Sequence, residues 1–152
     1  MSILFHFARE QRAAGSMIEP GNFGRIIRQS GPQHQLFQRE MTYEAVRQTY
    51  FPHRPSRLDS LFCFPSLEEA ALCRANIKGY ENSVLHEVET NEPDLFVADM
   101  NNGIQHFALE AFAIGIIAYY WNGWVRSTDP KAAILREVLL REPVKVLRRL
   151  DL

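Results

Sequence analysis

Two apolar runs of strand character stand at opposite ends of this chain. Ile3-Leu4-Phe5-His6-Phe7-Ala8 opens it, and the stretch from Glu137 to Leu150 reads as one or two closing strands. The first run carries one histidine, His6. The late run is headed by a carboxylate, Glu137. These two groups can serve one site only if the fold brings the ends of the chain together. A shift of one residue in the register of the first strand would turn His6 to the opposite face.

The segments between the ends alternate in character. A stretch with Gly15, Pro20, Gly21 and Gly24 reads as a loop, with a short extended piece from Ser16 to Gly21. The spacing from Gln38 to Tyr50 predicts a helix with Met41, Ala45, Val46 and Thr49 on one face. On it, Glu40 and Glu44 can pair with Arg47. Pro52 and Pro55 end it. Ser60 to Phe64 reads as a buried strand. Ser66 with Glu69 has capping-box spacing and starts a helix to about Ile77, ended by Gly79. Val84 to Glu89 alternates like a half-buried strand, and Leu95 to Ala98 reads as another. A helix is expected from Ile104 to Ala118, then an aromatic turn, Tyr119 to Trp124. No regular β-α-β rhythm runs through the chain. The expectation is therefore one α+β domain over residues 1–152, with split mixed or antiparallel sheets and flanking helices.

Charge and composition narrow the function classes. The 152 residues carry a formal net charge of -1, with 46% hydrophobic and 23% charged residues. That balance fits a folded core and argues against a general nucleic-acid or membrane-surface binder. Lysine occurs only at Lys78, Lys131 and Lys145, so positive charge is mostly arginine, whose planar fork suits phosphate and carboxylate. Cys63 and Cys73 have no metal-ligand spacing and read as reduced, buried thiols. No secretory leader is visible, and the longest apolar stretch, Ala111 to Tyr120, is too short to span a bilayer. No metal site is expected, because His34, His53, His86 and His106 share no ligand spacing. The phosphate loop, the dinucleotide glycine turn, Gly-x-Ser-x-Gly and His-Glu-x-x-His are all absent.

In their order along the chain, a set of short pieces resembles the ADP-ribosyltransferase superfamily, in particular a small bacterial branch of it. The pieces are His6 in the first strand, Pro55-Ser56-Arg57 leading into Ser60-Leu61-Phe62-Cys63-Phe64, the helix from Ser66, Tyr120-Trp121-x-Gly123, and Glu137-Val138-Leu139 followed by Pro143-Val144-Lys145-Val146. The resemblance implies a fold of that type and NAD as donor. It implies that Glu137 is catalytic, stabilising an oxocarbenium-like transition state by its charge. It implies that His6, Arg57, Ser56, Ser60, Phe64, Tyr120 and Trp121 hold NAD, with Arg57 on the pyrophosphate and Phe62 or Phe64 against nicotinamide. Asp99 would lie at the acceptor site, or cap the next helix.

Two departures bear on the acceptor. There is no Ser-Thr-Ser triplet, and Leu135 stands two residues before Glu137 where arginine-modifying toxins carry a second acidic or amide residue. The expected function is mono-ADP-ribosyl transfer to an acceptor, protein favoured, in the cytoplasm or in a target cell if the chain is an effector or toxin. Alternatives are NAD hydrolysis, RNA 2′-phosphate transfer, or a non-catalytic binding or inhibitory module on the same fold.

Overall fold

The computed structural model describes residues 1–100, 117–125 and 134–152. The expected helix from Ile104 to Ala118 lies almost wholly outside the described residues. Among the described residues, seven strands form two sheets. Strands β1 (Ser2–Ala8), β2 (Met17–Ile18), β4 (Val84–Thr90) and β7 (Val144–Leu150) make one, in the order β1-β4-β7-β2. Strands β3 (Leu61–Cys63), β5 (Phe96–Asp99) and β6 (Arg136–Leu140) make the other, in the order β3-β6-β5. Every described pairing is antiparallel, so the molecule is α+β with no parallel element among these strands.

Among the described residues, one isolated bridge joins the two sheets. Phe5 and Phe64 exchange backbone bonds at 3.0 and 2.7 Å, setting β1 beside the end of β3. Both ends of the chain are thereby drawn toward β3, since β6 pairs with it on its other side. The ends also meet directly across β4, which pairs with β1 on one side and β7 on the other. A register shift between Glu87 and Val88 marks the β4–β7 pairing, the kind of irregularity that bends a strand and increases its twist.

Helices α1 (Asn22–Ser30), α2 (Phe37–Tyr50) and α3 (Leu67–Asn76) flank the sheets. The first corrects the sequence reading, which took the stretch through Gly24 as loop. Gly21, at φ 92°, is the turn that starts α1, and Gly24 lies inside the helix. Glycine weakens a helix interior, which hides α1 from the pattern. Packing explains its place: a Cβ on Gly24 would stand 1.7 Å from the Leu58 carbonyl oxygen. The helix lies against the one-turn 3-10 helix Arg57–Asp59 that leads into β3.

Helix α2 also corrects the expected face. Its buried residues are Glu40, Tyr43 and Val46, while Ala45 and Thr49 are exposed. The start of α3 agrees with the sequence: the Ser66 side chain accepts from the Glu69 backbone N–H at 3.2 Å and donates to its carboxylate at 2.9 Å. Residues 117–122 are helical, so Tyr120 and Trp121 sit on a helix and the turn comes only at Gly123, at φ 76°.

The core divides by sheet face. Leu139 of β6 packs with Tyr43, Val46, Phe96, Tyr120 and Trp121. Val138 and Leu140, one residue to either side, pack on the opposite face with Leu4, Cys63 and Val146. A third cluster joins Phe7, Phe64, Ala70 and Cys73 under α3. Cys63 and Cys73 are both buried and free.

Replacing Gly24 by alanine should destabilise the protein by roughly 1–3 kcal/mol, the usual range for overpacking. The Cβ meets backbone, which cannot rotate away as a flexible side chain can. Urea unfolding of the variant checks this; an unchanged midpoint would show that α1 is not seated on residues 57–59.

Candidate functional site

Strand β6 begins beside the apolar cluster of α2, and its second residue is Glu137. By the two-residue alternation of a strand, Glu137 points to the same face as Leu139. That face is already covered by Tyr43 and Tyr120. A carboxylate there requires a partner, because an unpaired buried charge is costly. The partner is Arg57, delivered by the 3-10 turn before β3. Its Nη1 donates to Glu137 Oε1 and to the Tyr120 hydroxyl at 2.6 Å. Tyr120 in turn donates to the same Glu137 oxygen at 2.7 Å.

The other edge of the Arg57 guanidinium is taken by Glu40. Nε donates to Glu40 Oε2 at 2.9 Å and Nη2 to Oε1 at 3.2 Å, a two-bond fork. Arg39 covers Glu40 from outside, with Nη2 to Oε1 at 2.8 Å. The faces of the guanidinium meet aromatic rings: its carbon lies 4.9 Å from the Tyr43 and Phe62 ring centres and 5.2 Å from that of Tyr120. Glu40 is 0% exposed, Glu137 4% and Arg57 8%. This buried group therefore joins α2, the turn before β3, residue 120 and the head of β6.

Protonation follows from these contacts. Burial pushes the Glu40 carboxyl upward, but Arg57 and then Arg39 outweigh it and hold it below the usual carboxylate range. Burial together with the nearby Glu137 charge raises the Tyr120 phenol well above its ordinary value, so it stays a donor. Burial alone would lower the Arg57 value, but Glu137 and Glu40 raise it further, so this arginine is a permanent cation.

Of the residues expected at the site, Arg57, Tyr120 and Glu137 come together, and Ser56 stands at the edge. The Ser56 hydroxyl donates to Glu44 at 2.8 Å and accepts from the Leu58 N–H at 3.2 Å, capping the turn that carries Arg57. Ser60 donates to the Ser56 carbonyl at 2.6 Å. Both serines therefore spend their hydroxyls on the local backbone and its neighbours. Phe64 is core, edge-on to Phe7 at 5.7 Å between ring centres. Trp121 is fully buried; its Nε1 donates to the Tyr43 carbonyl at 3.0 Å and its ring stacks on Phe96. Asp99 is buried at the end of β5, in register with Arg136, which pairs with Glu69 at 2.7 Å.

His6 lies elsewhere. It alternates with Phe5 and Phe7 and so shares the side of Leu4, which packs with Cys63 and Val138. Glu137, adjacent to Val138, points the other way. His6 Nδ1 stands 2.8 Å from the Phe62 carbonyl, which can only accept, so Nδ1 carries the proton. Burial lowers its pKa to about 4, with the Phe62 bond opposing, so the ring is neutral at pH 7. In register, its cross-strand neighbour is His86.

Glu40 and Tyr43 are the members of this constellation that the sequence reading did not place in it. Their signal was present. Glu40, Tyr43 and Val46 recur at three-residue steps, a helical face with one carboxylate on it. A carboxylate on an apolar face implies a buried cation, and Arg57 is the arginine that supplies it.

A family described as "Protein of unknown function (DUF2441)" matches residues 4–151. The match spans nearly the whole chain, which therefore belongs to that family. No curated protein matches it. Among the described residues, no helix is long and apolar enough to cross a membrane, and no cluster of three or more His, Cys, Asp or Glu is placed to hold a metal ion.

Glu40→Ala leaves Arg57 half-paired in the core and should cost about 3–5 kcal/mol, the range for breaking a buried ion pair from one side. Because the folded pKa of Glu40 is depressed, its contribution is fully present above the unfolded carboxylate value of about 4.3 and is lost as pH falls through the lower folded value. Denaturant midpoints of wild type and variant, measured from pH 7 down to acid, should therefore converge. A gap that stays constant down to the lowest pH would mean that the charge of Glu40 is not what stabilises.

Proposed function

We propose that this chain performs NAD-linked ADP-ribosyl chemistry on an ADP-ribosyltransferase-like fold, with Glu137 as the reacting carboxylate and a protein as the favoured acceptor. The observation that carries the reading is the convergence of Arg57, Tyr120 and Glu137. They come from three distant segments and bond to one another at the head of β6. All three were singled out because they match pieces of that superfamily.

The chemistry suits the setting. Breaking the nicotinamide–ribose bond develops positive charge on the ribose. A carboxylate in a desolvated place stabilises that charge far better than one in water. Arg57 pairs with Glu137, and Tyr120 fixes the orientation of its shared oxygen. On this reading the second carboxylate oxygen takes a ribose hydroxyl. With the Glu137 side chain 5% exposed, the donor reaches it only when part of the cover moves aside. His6, on the other face of β6, has no part in this step. Its neutral ring and its bond to Phe62 give it a role in holding β1 to β3.

A second reading has an observation of its own. Glu137 is already bonded by Arg57 and Tyr120, as expected of a structural ion pair in a non-catalytic binding module. Two measurements separate the readings. Catalysis predicts that the wild type releases nicotinamide from NAD and that Glu137→Gln slows release by about 10²–10³-fold, while the NAD-induced rise in melting temperature survives. A binding module predicts that rise without release. Neither rise nor release would reject both as NAD-using readings, and equal release by Glu137→Gln would remove Glu137 from the mechanism.

A further inference from the structure

The strand beside β1 holds a buried histidine that the Glu137 group does not use. His86, in β4, is 0% exposed, and its Nε2 accepts from the Arg12 backbone N–H at 3.0 Å. That bond needs a lone pair on Nε2, so the ring is neutral and its proton sits on Nδ1. Nδ1 has no partner in bonding geometry. A second proton, on Nε2, would set an N–H against the Arg12 N–H, donor against donor.

The segment that meets His86 has little else to hold it. Residues 9–15 are exposed. The segment is pinned at one end by the pairing of Ala8 with Val84 and at the other by backbone bonds from Gly15 and Ser16 to Val146. Between these ends, among the described residues, two hydrogen bonds join residues 9–14 to the sheet. One is the Arg12–His86 bond; the other runs from Arg149 Nη1 to Gln11 Oε1 at 3.0 Å and is exposed. Arg149 is also shared with Asp151, at 3.1 Å.

The groups around the ring disfavour a proton on it. Residues directly opposite in antiparallel strands share a face. His6 of β1 and Arg149 of β7 are the two residues opposite His86. His6 has its own Nδ1 committed to the Phe62 carbonyl, and Arg12 adds a cation from the segment above. Burial lowers the His86 pKa; the Val84 backbone opposes this, and the Arg12 and Arg149 charges add to it. With the segment lifted, the ring meets water and returns toward its ordinary value of about 6.5.

We propose that residues 9–14 are an acid-released strap: neutral His86 latches it through the Arg12 N–H, and uptake of one proton from water at Nε2 unlatches it while both sheets stay paired. The device stands whether or not the chain acts on NAD. Because the closed state binds the proton less readily than the lifted state, the ratio of lifted to closed strap is constant above about pH 6.5. Below that it rises by about tenfold per pH unit, until the closed-state value is reached.

The test uses the full ¹⁵N-labelled chain from about pH 8 to about pH 5. Exchange of the Arg12 amide is expressed as protection relative to an unstructured peptide at the same pH, with the amides of β1 and β4 as reference. Protection of Arg12 should fall by about tenfold per pH unit below about pH 6.5, while the reference amides keep theirs. The ring ¹⁵N signals of His86 should show the Nδ1–H form at neutral pH. His86→Gln keeps an acceptor that does not titrate, and should make Arg12 protection independent of pH. The wild-type ring signals decide the matter even if that variant does not fold. An Nε2–H form at neutral pH would overturn the proposal. So would Arg12 protection that is flat with pH or falls only together with β1 and β4, or the same acid loss in His86→Gln.

Discussion

A buried guanidinium needs its charge answered, and the placement of Arg57 sets much of the rest of this molecule. Taking an arginine and two carboxylates out of water costs several kcal/mol per ion. That cost is offset by the Glu40 fork, the bond to Glu137, the Tyr120 hydroxyl and three aromatic rings. These contributors come from α2, β3, the helix through residue 120 and the head of β6. The cluster can form only when α2, the turn before β3, the helix through residue 120 and the head of β6 are all in place. Such a group adds less to net stability than to uniqueness, because any other arrangement leaves a charge buried and alone. The loop and helix boundaries near Arg57 follow from this demand: Ser56 caps its turn, and α1 lies close enough to that turn that only glycine fits at position 24.

The pleat of β6 sorts the remaining chemistry. Alternate residues of one short strand serve two different cores, so Glu137 and Val138 belong to opposite faces. His6 falls with Val138. The ends of the chain do come together, through the Phe5–Phe64 bridge and across β4, yet the two groups that seemed most suggestive in the sequence are divided by the sheet. Proximity of strands is a statement about backbone, and the side reached by a side chain depends on a single residue of register.

Much of the fold was legible for a physical reason. Strands β1, β4 and β5 and helix α3 announce themselves through alternation, apolar runs and a Ser–Glu cap, all local properties of the chain. Helix α1 was not legible, because its glycine is placed for a contact with Leu58, far along the sequence. The face of α2 was misjudged because Glu40 was kept off it and read as a partner for Arg47. The burial of Glu40 depends on Arg57, seventeen residues away. Arg57, Tyr120 and Glu137 were each singled out from order along the chain. Their joining through a second carboxylate, Glu40, needs three dimensions to see. The aromatic run at Tyr119 to Trp124 read as a turn because bulky rings beside Gly123 suggest one; its first residues are helical because Trp121 and Tyr120 are drawn into the core beside Tyr43.

Glu40 also bears on whether Glu137 can act. A carboxylate paired with one arginine presents almost no net charge to a substrate, since the two fields nearly cancel beyond the pair. Here the arginine is divided. Its two-bond fork faces Glu40, and only Nη1 is turned to Glu137. With Arg39 counted, two cations answer two carboxylates. The group is neutral in sum yet uneven in space, with the cations drawn toward α2 and the Glu137 anion left at the β6 end. A substrate that develops positive charge beside β6 would meet the negative end of this arrangement. On the proposed reading, Glu40 is therefore the residue that lets a buried, paired glutamate still stabilise a cation. The same residue is indispensable to a purely structural cluster, which is why turnover, and not stability, decides between the two.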